Sequence, residues 1–150
     1  MLTDNDAKIA YVYSSLIEPG VVVGDPTPGI GLRCERFPTD LTLSINFGVI
    51  GFNGIDNYSI EFHIIYENQD VTIESQESRV LKYLPQWGSN GEFVADMCVF
   101  ENFTANGPGY YFIDAHLLFK DTNPESVWEV IDIKKSCFAI SAEWRREIDG

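Results

Sequence analysis

The residues best suited to chemistry are two histidines, each two positions from a carboxylate: Glu61 with His63, and His116 with Asp114. Side chains two apart on a β-strand share a face. Two imidazoles and two carboxylates gathered on one surface suit a divalent transition metal, or acid–base work near neutral pH. Left as separate cross-strand pairs on a wet face, they would only adjust one another's charge.

Other motifs carry less. Gly48, Gly51 and Gly54 are spaced like a glycine-rich loop, but no Lys-Ser/Thr follows and no helix offers an N-terminus to a phosphate. A strand-end bulge and a turn account for them. There is no G-x-S-x-G nucleophile elbow. Cys98, between Asp96 and Phe100, and Cys137, beside Phe138, read as packed thiols. Asp121 and Glu125 flank Asn123-Pro124 in a turn that offers too few ligands for calcium.

The elements that must position these residues are strands. Residues 41–50 (LTLSINFGVI) and 57–66 (NYSIEFHIIY) both alternate apolar and polar with period two. Asn53-Gly54 between them is the signature of a type I′ hairpin turn. A turn there pairs Val49 with Tyr58, Phe47 with Ile60, Ile45 with Phe62, Leu43 with Ile64 and Leu41 with Tyr66, apolar against apolar throughout. The opposite face, with Thr42, Ser44, Asn46, Ser59, Glu61 and His63, is expected to be mostly wet. Further strands are expected over 8–17, 31–36, 70–74, 78–84, 92–103, 109–119 and 127–141. Val21–Val23 is a short segment within a loop over 18–31, and 85–91 is a second loop. The last strand changes apolar parity between Ile131, Ile133 and Phe138, Ile140, which predicts a bulge near Lys134-Lys135. Residues 142–148 have room for one helical turn. The fold class is all-β: one antiparallel two-sheet sandwich domain over 1–150, with a β-barrel as the alternative.

Gly107-Pro108-Gly109-Tyr110-Tyr111-Phe112-Ile113 supplies a turn followed by G-x-Y-x-I. It resembles the tyrosine-corner entry to a late strand of immunoglobulin-like sandwiches, and in outline the chain is similar to small bacterial domains of that kind. The resemblance implies that Tyr111 faces inward with its hydroxyl bonded to backbone at the turn. It also implies that strands 57–66 and 109–119 are neighbours in one sheet. Glu61, His63, Asp114 and His116 would then converge on one outer surface. The resemblance implies no activity.

Composition narrows the function classes. The chain has 150 residues, 45% hydrophobic and 13% aromatic, enough for one domain that buries roughly 70% of its unfolded surface. Its 23 acids against 10 bases give a formal charge of −13. That argues against nucleic acid and against anionic membrane surfaces, and for a protein partner with a basic surface. From Phe37 to Phe119 there are eleven acids against Arg79 and Lys82 alone, so the acidity lies in the middle strands. Three cysteines without a CxxC pair, a start without signal-peptide character and no long apolar run suggest a cytoplasmic protein. No cofactor is expected.

A second surface clue is apolar. Tyr110, Phe112 and Leu118 share the outward parity of 109–119, and Ile50 and Ile65 are outward on the expected hairpin. Together they read as a partner-binding patch, with a homodimer as its simplest use, unless Trp144-Arg145-Arg146 covers it. The leading expectation is a non-enzymatic acidic protein that binds a protein partner, of inhibitor, immunity or accessory type. The alternatives are a metal-dependent or acid–base enzyme using the His/carboxylate cluster, and a structural subunit of a larger assembly.

Overall fold

A computed structural model describes residues 7–15, 29–73 and 80–145. Its strands are β1 (Lys8–Ser15), β2 (Gly31–Arg33), β3 (Thr39–Ile50), β4 (Asn57–Tyr66), β5 (Gln69–Asp70), β6 (Val80–Trp87), β7 (Phe93–Ala105), β8 (Gly109–Lys120) and β9 (Glu129–Ser141). They form two sheets, ordered β1-β3-β7-β6 and β2-β9-β8-β4-β5. All pairings are antiparallel except the three-residue β2–β9 contact. Among the described residues there is no helix, hence none long and apolar enough to cross a membrane. The expected segment at Val21–Val23 and the turn beyond Arg145 lie outside the described residues, and 142–145 are not helical.

The period-two pattern does what it must: the even positions of β4 and the odd positions of β3, β7 and β8 turn inward. Phe47, Ile45, Ile64, Phe103, Tyr111, Ile113 and Leu117 are fully buried between the sheets.

The hairpin expected at Asn53-Gly54 does not form. β3 pairs with β1 and β7, whereas β4 pairs with β5 and β8, so the two strands belong to different sheets. Gly51 and Gly54 have positive φ (80° and 76°) but Asn53 does not, which rules out a type I′ turn. Asn53 acts through its side chain instead: Oδ1 accepts from the amides of Ile55 and Asp56 (2.8 and 2.9 Å). Phe52 stacks on Tyr58 and Phe93, with centroids 4.0 and 5.1 Å apart, and closes that end of the core. The connection is an arch that crosses from one sheet to the other. The physical reason is that two strands with one apolar face each can bury those faces against one another. Side by side in one sheet, both would still depend on other strands to cover their dry faces.

The turn with two positive-φ residues is elsewhere. Glu67 (φ 49°) and Asn68 (φ 63°) join β4 to β5 in a two-residue hairpin in which Tyr66 opposes Gln69.

Smaller differences follow from packing. β6 runs on through Pro85 to Trp87, because it is an edge strand where proline is tolerated. The bulge in β9 falls at Ile131, between the pairs Leu117–Asp132 and Leu118–Val130, and Ile133 faces solvent. Ser44 and Asn46, expected in water, are buried on the outer face of the first sheet: Asn46 Nδ2 donates to Ser15 Oγ (2.9 Å) and Ser44 Oγ lies 3.2 Å from Cys98 Sγ. Gly48 lets the Tyr11 ring cross β3; an added Cβ would meet that ring at 2.3 Å. Tyr11 thereby donates to Asp96 Oδ1 at 2.6 Å.

One buried group is an acid. Glu101 occupies an inward position of β7, paired with Leu43, and is 7% exposed. Burial raises its carboxyl pKa, and the nearby His63 only partly opposes this. A carboxyl whose folded value is raised holds its proton more tightly in the folded chain. Stability therefore falls as pH rises from the unfolded value through the folded one, and the cost is complete above it. Glu101→Gln should raise Tm by a few degrees at pH 7, and the gain should shrink towards zero below pH ~4. Thermal unfolding of both proteins at the two pH values measures this. An equal gain at both, or a loss at pH 7, contradicts it.

Candidate functional site

The outer face of the five-stranded sheet gathers most of the residues singled out from sequence. In the β4–β8 ladder Glu61 stands opposite His116, His63 opposite Asp114, and Ile65 opposite Phe112. β9 continues these rows with Ile133, Lys135 and Cys137. Alternation puts all of them on one side, because the even residues of β4 and the odd residues of β8 are used by the core.

Glu61, His63 and His116 each offer one ligand atom, and the three atoms lie within 4.8 Å of one another. His63 Nε2 is 3.6 Å from Glu61 Oε2, and the two imidazole centroids are 5.4 Å apart. Asp114 is not one of the three, although it faces His63 directly across the ladder. A fourth residue joins from β5. Asp70 Oδ2 lies 2.8 Å from His63 Nδ1, and Thr72 N–H donates to Asp70 Oδ1 at 2.9 Å. Desolvation pushes the Asp70 carboxyl pKa up, but Thr72 and His63 together pull it down further, and the net direction is down. An ionised carboxylate can only accept, so Nδ1–H of His63 is the donor to Asp70, which leaves Nε2 as the ring nitrogen that faces Glu61.

Sequence reasoning missed Asp70. Its signal is the Asp-x-Thr spacing after a two-residue turn, which becomes readable only once that turn is known to bring β5 back along β4.

Apolar side chains flank this polar band. Tyr110 is 75% exposed, Phe112 48%, Val130 48% and Ile133 52%, with Ile65 and Leu118 half-buried beside them. Ile50 does not contribute: it lies on the other sheet, between Lys8 and Val94. Trp144 does not cover the patch either, because it packs on Gly31 and donates Nε1–H to the Leu32 carbonyl at 2.9 Å.

No match is found among protein-family models, curated proteins or solved structures.

The cysteines separate. Cys34 and Cys98 are buried thiols, whereas Cys137, expected to be packed, is exposed opposite Phe112, because odd positions of β9 point outward there. The turn at Asp121 uses its acid for its own closure. Asp121 accepts from Ser126 Oγ and from the Asn123 amide, and the Ser126 bond is the main reason its pKa is lowered.

Proposed function

We propose that this chain is a non-enzymatic acidic binding domain of inhibitor, immunity or accessory type, which docks a protein partner on the outer face of the β2-β9-β8-β4-β5 sheet. The observation that carries the reading is the set of exposed apolar side chains Tyr110, Phe112, Val130 and Ile133 on one rigid sheet face. Exposed aromatics on a preorganised surface lose little freedom on binding, and Tyr is enriched among residues that dominate interface energies. The outer face of the other sheet also exposes Ile50, Leu84 and Val94, but there the apolar side chains share the surface with polar pairs that bond to one another: Tyr11 with Asp96, Thr42 with Asn102, and Thr104 with Asp40.

We read the sandwich as immunoglobulin-like, a reading supported by strand order and by Tyr111. Taken in chain order without β2, the strands play the parts A (β1), B (β3), C (β4), C′ (β5), D (β6), E (β7), F (β8) and G (β9). The first sheet is then A-B-E-D and the second G-F-C-C′. Tyr111 at the start of F donates to the Gly107 carbonyl four residues upstream, as a tyrosine corner does. Ile113 stands where disulfide-bridged members of that class carry their second cysteine. The three cysteines are free, which fits a reducing cytoplasm.

Charge favours a basic partner. Among the described residues the one ion pair made by a Lys or Arg is Arg33–Glu35, which leaves the acids of the middle strands to steer such a surface.

The exposed Cys137 provides the test. A thiol-directed photo-crosslinker attaches there and not at buried Cys34 or Cys98. In extract from its own cells it should give a discrete adduct, or a self-adduct if the partner is a second copy. The double variant Tyr110→Asp/Phe112→Asp should keep its Tm and lose that adduct, with affinity down about 30-fold or more, as for hot-spot residues. No discrete adduct, or one indifferent to both substitutions, refutes the reading.

A further inference from the structure

We propose that Glu61, His63 and His116 form a binding site for a divalent transition-metal ion, zinc being the natural occupant, with Asp70 as the positioning residue for His63. The inference goes beyond the docking reading and does not depend on it.

Three features point the same way. The first is the donor set. Two imidazoles and one carboxylate suit zinc and its neighbours, whereas calcium and magnesium prefer oxygen alone. The second is spacing. Ligands bound at ~2.0–2.1 Å in a tetrahedron stand ~3.3 Å apart. His63 Nε2 and Glu61 Oε2 are already at 3.6 Å, and all three ligand atoms lie within 4.8 Å. Small side-chain rotations on this solvent-facing surface close the remainder, while the strands stay fixed by the β4–β8 ladder. The third is the outer support. Zinc-bound histidines regularly donate their other ring N–H to a carboxylate, which fixes the tautomer and strengthens the ligand. Asp70 does this for His63 at 2.8 Å, and is itself held by the Thr72 amide. Three protein donors leave at least one coordination position open to solvent.

The test is titration of the isolated, EDTA-treated chain with zinc chloride, followed by calorimetry and by Tm. One ion per chain and a raised Tm are expected, with no response to calcium. His63→Ala and His116→Ala should each weaken zinc binding about 100-fold or more. Asp70→Asn should keep one ion per chain and weaken binding about 10–100-fold, the range for lost outer-shell partners. Asp114→Asn, beside the site but outside it, should change affinity less than about threefold. Each variant's Tm in EDTA checks its fold, and His63→Gln or His116→Gln replaces any alanine variant that fails the check. Absence of binding at micromolar zinc overturns the site. So does binding that survives the double histidine substitution, since the ion would then be held elsewhere. Unchanged zinc affinity in Asp70→Asn overturns the positioning role. None of these outcomes bears on crosslinking at Cys137, so the two proposals fail separately.

Discussion

Phe47→Ala should lower the stability of this domain by about 3–5 kcal/mol, the usual cost of emptying a buried phenylalanine site. Phe47 lies in the middle of β3 with no exposed surface. Its ladder partners are Val12 on β1 and Met97 on β7, so it sits on a central strand held from both sides. Its ring meets Phe62 of the opposite sheet edge-on at 4.9 Å. With both sheets fixed by their own ladders, the void cannot collapse, and the cost should fall towards the upper end of the range. A domain of this size has about 5–15 kcal/mol in total, so the variant would be close to the edge of folding. Denaturant unfolding followed by circular dichroism measures the loss. A double-mutant cycle with Phe62→Ala should add a coupling of about 0.5–1.5 kcal/mol, typical of an edge-to-face pair. A loss below about 1 kcal/mol, or no coupling, would mean that the faces of β3 and β4 do not meet across the core.

That same contact shows what the sequence could and could not convey. Alternation along 41–49, 58–66, 93–103 and 111–117 identifies which side of each strand is dry, because a side-chain period of two leaves no other solution. It does not say whether two dry faces lie side by side or face to face. Phe47 and Phe62 are apolar on either plan, and Asn53-Gly54 favours the wrong one. The deciding residues are Phe52, whose ring closes the end of the core, and Asn53, which bonds through its side chain without leaving negative φ. The real two-residue turn is hidden because Glu67 is a residue type seldom found at positive φ. Asp70 is hidden with it, since only that turn returns β5 to His63. Glu61, His63 and His116 are easier to foresee: their meeting needs only β4 and β8 to be neighbours, as the Tyr111 motif implies. Asp114 shows the limit, for it occupies the ladder position opposite His63 and still stands outside the group. Glu101 is the acid that periodicity could have flagged, since Val99 and Phe103 on either side of it both face the core.

Tyr111→Phe is the more discriminating experiment, because it removes one oxygen and leaves the packing intact. The Tyr111 ring is fully buried, stacked on Tyr66 at 4.3 Å and on Phe138 at 5.4 Å, with Phe103 edge-on at 5.8 Å. Phenylalanine fills that space equally well, so no cavity cost arises. The hydroxyl donates to the Gly107 carbonyl at 2.6 Å and accepts from the Gly107 amide at 3.3 Å. Burial raises the phenol pKa, which keeps the group a donor through neutral pH. Gly107 is itself buried, so removing the hydroxyl leaves an N–H and a C=O without partners in a dry site. Each unsatisfied group costs about 1–3 kcal/mol, and a net loss of about 2 kcal/mol is expected after local adjustment. Tyr66 restrains that adjustment by donating to the Pro108 carbonyl at 2.9 Å and lying against Gly107. For a domain of this length a loss of 2 kcal/mol lowers Tm by about 4–8 °C. Tyr66→Phe removes a hydrogen bond at an exposed position and should cost under about 1 kcal/mol, since water replaces the lost donor. If the two variants lose the same amount, the corner hydroxyl is an ordinary surface hydrogen bond. If Tyr111→Phe loses several times more, the turn before β8 is anchored from inside the core, and it is this anchor that sets where β8 begins and hence where His116 lands opposite Glu61.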